Sequence, residues 1–591
     1  MGTIELVSYL NDLLWRELGS LTSRLWSPPW TQSKILQIHQ GFIQGRRYKL
    51  GREFVDAYLG IPFGKPPIKE LRFQVTFWAS KYKKWVILLK PVPAEPWNEV
   101  RLCTEFGPRC PQEELIFERY ATAAIAEMNE DCLRLNVFAP SWTPAACGQP
   151  NGFAVIVFIH GGGFAIHSSA NFGCYGICEA LCTKDVIVVT IQYRLGFFGF
   201  SAGEEIPTNL GLWDQTLALK WVQDNIATFG GDPMNVTAFG QSAGAASVDC
   251  LCLSPYSRNL FQKCITMGGS TLCSFSLNDK KHVSTVCLEF AKSLGYKPTQ
   301  GQNHFDFLRT LPASALAVGI IGEKVNRNGK IDLTPVYDGD FFPRPLEELR
   351  KETPSKVILS GITEHEGLLF VGLRPAKKNP LQDEVEKLLE RELMFLKVRN
   401  IDEVKKKLLN MYWKGINKSD KKDVAKVCVK IVSDVYLNNG AWLHTDKMTK
   451  LGHTVYQYVF EYFNPNGLGL VGTMLPFKGA LHGSDIPYIF KKGMVSNFHP
   501  NDEDLKMVET MTRYFTNFSK FGNPNGAPWD HQIWKPLAAE NTLKYMAINL
   551  DKCRMCDNLN DGRSEYWKQL LEADSETGIL SLVRASDNNN I

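Results

Sequence analysis

The chain has 591 residues, 44% of them hydrophobic and 22% charged, which is enough apolar material to bury a large core. Its formal net charge of +4 is small for this length, and no run of Lys and Arg is interleaved with aromatic residues, so nucleic acid is excluded as an expected partner. Without a P-loop, a dinucleotide-binding fingerprint or a metal-binding histidine pair, the sequence implies no cofactor and no metal.

The first segment, residues 1–30, has the pattern of an amphipathic helix that ends at Pro28-Pro29. Its apolar residues recur at three- and four-residue steps: Ile4, Val7, Leu10, Leu14, Leu18, Leu21 and Leu25. Charged residues interrupt this run, so we do not expect a secretory signal peptide. We expect the helix to pack on the protein's own body. A weak contact of residues 1–26 with a membrane surface is the alternative, which a polar face poor in Lys and Arg disfavours.

A glycine run follows a predicted buried strand in the first third of the chain. Residues 153–159 (FAVIVFI) are uninterrupted apolar, and His160, Gly161, Gly162 and Gly163 come directly after them. Glycines after a core strand let backbone amides approach a ligand. When an H-G-G-G segment precedes a G-x-S-x-G motif, this arrangement is typical of an esterase oxyanion hole, and a structural turn is the alternative.

The most informative motif is G-x-S-x-G at 240–244, which ends the apolar and β-branched run 235–239. This order predicts a strand that turns sharply into a helix and leaves the Ser242 hydroxyl exposed at the elbow. A serine hydroxyl is a poor nucleophile at neutral pH, so catalysis also needs a base, a carboxylate and an oxyanion hole. An ordinary serine in a glycine-rich turn is the alternative.

The segments around these motifs resemble the type-B carboxylesterase/cholinesterase family of α/β-hydrolases. The resemblance runs from about residue 35 to about residue 571 and is strongest in five segments. They are 58–67 (YLGIPFGKPP), 129–137 (NEDCLRLNV), 193–200 (YRLGFFGF), 209–215 (NLGLWDQ) and 229–233 (FGGDP). It implies an α/β-hydrolase fold, in which a mostly parallel central sheet carries helices on both faces.

The resemblance also implies where the acid and the base of a catalytic triad lie. Residues 357–367 (VILSGITEHEG) look like the family strand and loop that carry the acid, and the Glu-Gly pair places it at Glu366. Glu364 is the competing assignment. Residues 481–485 (LHGSD) resemble the loop that carries the base, which makes His482 the expected base.

Ser242 is thus the expected nucleophile, His482 its general base and Glu366 the group that orients the imidazole. By analogy with the family, the backbone amides of Gly162, Gly163 and Ala243 would hold the oxyanion. The family also contains catalytically silent adhesion proteins such as neuroligins. The presence of every triad residue, and the absence of a long apolar run before the C-terminus, favour an enzyme.

Three departures from the family pattern limit what the resemblance implies. Gln241 stands where many relatives, including cholinesterases, have Glu, and Thr122 stands where cholinesterases have the tryptophan that holds choline. Both departures favour a neutral ester. Residues 75–89 have no family counterpart, and we interpret them as translated intron, with a surface loop or a lid as alternatives.

The fifteen cysteines include one pair that the resemblance implies is a disulfide, Cys110 and Cys132. A second family pair would fall near Tyr296 and Phe307, where this chain has no cysteine. Free cysteines packed as small buried hydrophobic residues suit a reducing compartment, so we expect a cytoplasmic protein, with a secreted one as the alternative. A single Cys553-x-x-Cys556 is weak evidence for zinc.

The sequence therefore predicts a serine hydrolase that cleaves neutral carboxylic esters through an acyl-serine intermediate. Three parts are expected: a helix at 1–30, one α/β-hydrolase domain at 31–575 and a polar tail at 576–591. A lipase or amidase acting on longer acyl chains and a catalytically silent binding protein are the alternatives. The physiological ester and the oligomeric state are not set by the sequence.

Overall fold

The computed structural model describes eleven stretches of the chain: 28–68, 71–73, 92–113, 126–204, 206–298, 303–320, 331–373, 380–465, 471–493, 498–527 and 533–574. Four of the sequence predictions concern residues outside these stretches. They are the helix before Pro28, the insertion at 75–89, the substitution at Thr122 and the tail at 576–591.

The described strands form a large twisted sheet and a small one. In chain order they are β1 (Thr31–Gln32), β2 (Leu36–Ile38), β3 (Gly41–Gln44), β4 (Arg46–Leu50), β5 (Glu53–Pro62), β6 (Arg101–Leu102), β7 (Arg134–Pro140), β8 (Phe153–Ile159), β9 (Val186–Ile191), β10 (Gly231–Gln241), β11 (Lys263–Met267), β12 (Val357–Thr363), β13 (Thr454–Phe460), β14 (Tyr545–Ile548) and β15 (Arg554–Cys556). Strands β2, β3 and β6 form the small sheet.

The large sheet has the order β1-β4-β5-β7-β9-β8-β10-β11-β12-β13-β14-β15. Every pairing from β9 to β14 is parallel, and the pairings outside that block are antiparallel. The prediction of a mostly parallel central sheet is confirmed. Strands β8, β10, β11 and β12 lie side by side, so their carboxyl ends meet at one edge.

The sheet is covered on both faces, which the alternation of side chains along β8 shows. Phe153, Val155, Val157 and Ile159 belong to one buried cluster, whereas the intervening Ala154, Ile156 and Phe158 belong to a second. Successive side chains of a strand point to opposite faces, so the two clusters lie on opposite sides of the sheet. A strand buried on both faces has no polar side, which explains the uninterrupted apolar run.

The helices surround this sheet and supply the other half of each cluster. In chain order they are α1 (Tyr175–Ala180), α2 (Gly196–Phe200), α3 (Leu210–Asn225), α4 (Ala243–Leu253), α5 (Lys280–Ser293), α6 (His304–Thr310), α7 (Ala313–Leu316), α8 (Leu346–Lys351), α9 (Leu368–Gly372), α10 (Leu381–Phe395), α11 (Ile401–Trp413), α12 (Lys421–Ser433), α13 (Asn439–Lys450), α14 (Val471–Met474), α15 (Pro487–Phe490), α16 (Asp502–Phe521) and α17 (Arg563–Asp574). Helix α3 contributes to the first cluster and α16 to the second. One π-helical segment, Asp434–Asn438, joins α12 to α13.

Cys110 and Cys132 are joined by a disulfide, as the family resemblance implies. The thirteen other cysteines form no disulfide. Where the family's second pair would fall, the rings of Tyr296 and Phe307 pack together with their centroids 5.8 Å apart. An apolar contact therefore joins the two segments that a second disulfide would join.

None of the helices in the described stretches combines the length and the apolar character needed to cross a bilayer.

Candidate active site

Ser242 lies at a strained elbow between β10 and helix α4, at the carboxyl edge of the sheet. Its backbone has φ of 57° and ψ of −124°, a conformation that non-glycine residues rarely adopt and that costs about 1–3 kcal/mol. A hydrogen bond from its N–H to the Met267 carbonyl, 2.7 Å long, fixes the turn. A Cβ atom at Gly240 or Gly244 would collide with backbone of Gly244 or Ile159. The glycines of the motif are therefore steric requirements of the elbow.

His482 and Glu366 form a buried hydrogen-bonded pair next to this elbow. His482 Nδ1 lies 2.6 Å from Glu366 Oε2, and the two residues are 5% and 1% exposed. The second carboxylate oxygen, Oε1, accepts a hydrogen bond of 2.8 Å from the Thr363 N–H. Because both carboxylate oxygens are occupied, Glu366 is locked in one orientation and can hold the His482 proton on Nδ1.

The two loops that carry this pair are joined by backbone pairing. His365 and Leu481, each one residue before Glu366 and His482, form an isolated parallel bridge, and the His365 N–H donates to the Ala480 carbonyl over 2.9 Å. Glu364 lies on the other side of this bridge, half exposed, with Oε1 3.7 Å from Nε2 of His365. The structure thus brings Glu366, and not Glu364, to His482.

The glycine run lies beside the elbow. Of the described residues, none has a carbonyl that accepts a hydrogen bond from the backbone N–H of Gly162, Gly163 or Ala243. Unpartnered donors that converge at a helix start can bind a developing negative charge. His160 anchors the run, since its ring stacks on Tyr193 with centroids 4.5 Å apart and its Nδ1 lies 2.8 Å from the Gly161 carbonyl. Complete burial lowers the pKa of His160 to about 3, so this histidine is neutral.

Ser242 and the His482–Glu366 pair meet around Gly268, the first residue after β11. A Cβ atom built there would lie 3.1 Å from His482 Cε1 and 3.2 Å from Glu366 Oε1, and one at Gly269 would collide with the Ser242 carbonyl. The structure therefore gathers all three triad candidates at one place.

The hydrogen bond that a triad needs between Ser242 and His482 is not formed in this structure. In the described part of the chain the Ser242 hydroxyl has no partner, and His482 Nε2 lies 3.2 Å from the side-chain nitrogen of Gln241 instead. Catalytic hydrogen bonds often tighten only when substrate is bound. Sequence reasoning treated Gln241 only as a missing charge and did not find this contact.

Two further side chains border the base without having been predicted. The ring of Phe370 lies against His482, with centroids 5.4 Å apart. Asp485 is buried and accepts a 3.2 Å hydrogen bond from the Tyr458 hydroxyl. Burial, together with the nearby charge of Glu366, raises the pKa of Asp485 to about 7. The three-residue spacing from His482 to Asp485 could have signalled a second carboxyl group at the site.

Apolar side chains cover the glycine run. A Cβ atom at Gly163 would meet Ile331 at 3.0 Å and Ile320 at 3.2 Å, so these two isoleucines lie next to the expected oxyanion position. Within the described stretches, no three His, Cys, Asp or Glu side chains gather as a metal site would. The chemistry of this site is that of a serine, a histidine and a carboxylate in apolar surroundings.

A comparison with known protein families matches the family described as the carboxylesterase family over residues 32–567. The chain belongs to the carboxylesterase family. This carboxylesterase is 38% identical over 567 residues to esterase cest-33 of Caenorhabditis elegans, a match that covers 95% of the chain and 97% of the relative. It is 30% identical to the juvenile hormone esterase of Heliothis virescens, over 90% of the chain and 92% of the relative. It is also 30% identical to carboxylesterase 1C of Rattus norvegicus, over 95% of the chain and 97% of the relative.

These findings confirm the α/β-hydrolase fold and the hydrolysis of carboxylic esters as the activity of this carboxylesterase. They do not assign its catalytic residues, which rest on the geometry above.

Proposed function

We propose that this carboxylesterase cleaves neutral esters with Ser242 as nucleophile, His482 as base and Glu366 as the carboxylate that orients the base. The observation that carries the proposal is the buried 2.6 Å contact between His482 and Glu366 beside a serine at φ 57°. Backbone strain of this kind persists where the surrounding structure imposes it, and it concentrates at catalytic positions.

The chemistry follows from the position of each proton. With its proton on Nδ1 and shared with Glu366, the His482 ring takes the Ser242 proton on Nε2 as the serine oxygen attacks the ester carbonyl. The amides of Gly162, Gly163 and Ala243 stabilise the oxyanion. His482 then gives the proton to the leaving alcohol, and a water molecule, activated by the same nitrogen, releases the acid from Ser242.

The preference for a neutral substrate is supported by the side chains around the base and the glycine run. Gln241 next to the nucleophile carries no charge, and Phe370, Ile320 and Ile331 are apolar. The names of the relatives, which include both a juvenile hormone esterase and a cholinesterase, do not decide between a neutral and a cationic ester. A cationic substrate would lack an anionic partner at residue 241.

The test is covalent labelling of the full chain by a fluorophosphonate probe, with the modified peptide identified by mass spectrometry. We expect labelling at Ser242 in the wild type and none in Ser242→Ala. Ser247→Ala, which changes a buried serine in helix α4 directly after Ser242, should be labelled like the wild type. Folded protein without label would support the silent-binder alternative.

A substrate series then tests the specificity. We expect turnover of uncharged p-nitrophenyl esters and at least about tenfold lower kcat/KM for a choline ester of the same acyl length, because the missing charge is worth about one power of ten or more. A preference for long acyl chains or for amides would favour the lipase or amidase reading.

We infer further that the protein is cytoplasmic, which its thirteen free cysteines support. Disulfides are rare in a reducing compartment, so the state of Cys110 and Cys132 in the cell is the test. Alkylation of both thiols in rapidly quenched cells would support the inference, whereas a fully bonded pair would overturn it. Membrane association that is lost on deletion of residues 1–26 would assign that segment to a membrane surface.

A further inference from the structure

The nitrogen of His482 that must accept the serine proton is already occupied. His482 Nε2 lies 3.2 Å from Gln241 Nε2, and Gln241 is only 3% exposed. Since Nδ1–H donates to Glu366, the neutral ring carries its lone pair on Nε2, and the donor in this contact is the amide N–H of Gln241.

We propose that Gln241 is a positioning residue that holds the basic nitrogen of His482 in the resting protein and yields it to Ser242 when substrate binds. This inference rests on the proposed function, because it assigns a role around the same base. It explains why the Ser242 hydroxyl has no partner in the described structure although all three triad candidates are assembled.

The oxygen of the Gln241 amide lies against Gly161. A Cβ atom at Gly161 would lie 2.8 Å from Gln241 Oε1 and 2.9 Å from the Cβ atom of Ser242. Only a residue without a side chain leaves room there for both. With its oxygen against Gly161, the amide presents its N–H groups to His482.

The amide and a carboxylate at this position would act on the base in opposite ways. An amide N–H stabilises the neutral imidazole and cannot bond to a protonated Nε2 unless the amide rotates. A carboxylate can only accept, so it stabilises the imidazolium. Gln241 therefore keeps His482 unprotonated, and ready to act as base, at lower pH than Glu would.

Other ionisable groups lie near His482 and Glu366, and these groups are the same in every variant of residue 241. Asp485 lies in the same loop as His482 and accepts a hydrogen bond from the Tyr458 hydroxyl on β13. Cys273, which follows β11, lies close enough to Glu366 to interact with its charge. Burial raises the pKa of Asp485 to about 7, so its charge changes during a titration of the site, and its contribution is removed by working in an Asp485→Asn background.

The experiment is a direct titration of His482 by NMR in full-length protein carrying 13C-labelled histidine. The His482 signal is assigned by its loss in His482→Gln. We expect the proton affinity of His482 to rise about three- to tenfold in Gln241→Met, which removes the donor, and at least about tenfold in Gln241→Glu. Gln457→Met is the matched control, because Gln457 lies on β13, on another part of the sheet. Its buried side-chain amide accepts a hydrogen bond from the Thr445 hydroxyl.

A His482 titration in Gln241→Met that coincides with the wild type, or moves to lower pH, would overturn the proposal. If Gln241→Met does not fold, Gln241→Glu decides alone, since an unchanged titration there also excludes the contact. The measurement needs no turnover, so it is separate from the proposed function. A shift of the His482 titration without fluorophosphonate labelling would support the Gln241 contact and contradict the proposed roles in ester hydrolysis. Labelling of Ser242 without a shift of the titration would support those roles and contradict the Gln241 contact.

Discussion

Replacing Glu366 by Gln is the sharpest test of the triad, because an amide cannot reproduce the bonds of this carboxylate. Glu366 accepts from His482 Nδ1–H through Oε2 and from the Thr363 N–H through Oε1. If the amide oxygen of Gln keeps the Thr363 bond, its NH2 group faces Nδ1 and forces the His482 proton onto Nε2. If the oxygen turns to His482 instead, the NH2 group faces the buried Thr363 N–H, donor against donor.

The first arrangement keeps the backbone bond and is the one we expect. It leaves His482 in the tautomer that cannot accept the Ser242 proton. The same error at the carboxylate of a serine protease costs about 10⁴-fold in kcat, which corresponds to about 5.4 kcal/mol of transition-state stabilisation. We expect a loss of that order in Glu366→Gln, with little change in KM.

Glu364→Gln is the matched control, since it makes the same chemical change two residues away on a half-exposed side chain. The assay is steady-state hydrolysis of a p-nitrophenyl ester by both variants, with thermal unfolding measured to confirm that each is folded. We expect Glu364→Gln to stay within about twofold of wild type. The reasoning is wrong if Glu366→Gln keeps most of its turnover, or if Glu364→Gln is the variant that loses it.

Three other predictions concern the surroundings of the site. Ester hydrolysis should be lost on acidification, because a protonated His482 cannot accept the Ser242 proton, and a kcat/KM that does not fall in acid would remove His482 as base. Burial raises the pKa of Asp485 from 3.8 to about 7, so its contribution to the stability of the folded state is fully present below about pH 4 and is lost as the pH rises from there through 7. Asp485→Asn should therefore raise the unfolding temperature relative to wild type more at about pH 8 than at about pH 5; an equal effect at both would contradict this. Asp249→Asn leaves the charge of Arg350, which is 1% exposed and 2.9 Å from Asp249, without its partner, and should cost about 3–5 kcal/mol in denaturant unfolding. Adding Arg350→Met should recover part of that loss, whereas an additive double variant would refute the pairing.

The sequence predicts the elbow well because its determinants are local. A β-branched run, two glycines and a serine are all within ten residues, and each glycine has a steric reason that the structure reproduces. The continuous apolar run of β8 likewise predicts a strand buried on both faces. In both cases the structure depends on residues that are close together in the chain, in or next to one strand.

The pairing of acid and base depends on residues that are far apart in the chain. Glu366 and His482 are 116 residues apart, and the sequence alone leaves Glu364 as an alternative. What separates the two is the bridge between His365 and Leu481, a backbone contact with no signature in side-chain type. The contact of Gln241 with His482 was missed for a related reason, since it depends on the rotamer of one amide and on the space at Gly161.

The bridge between His365 and Leu481 joins the loop of Glu366 to the loop of His482 through backbone. Because backbone joins the two loops directly before Glu366 and His482, we expect a displacement of one loop to carry the other with it. Ser242 lies outside these two loops, at the elbow between β10 and α4, and is held by the hydrogen bond from its N–H to the Met267 carbonyl. A perturbation at the rim of the site would then shift an intact imidazole–carboxylate couple relative to the nucleophile rather than take the couple apart.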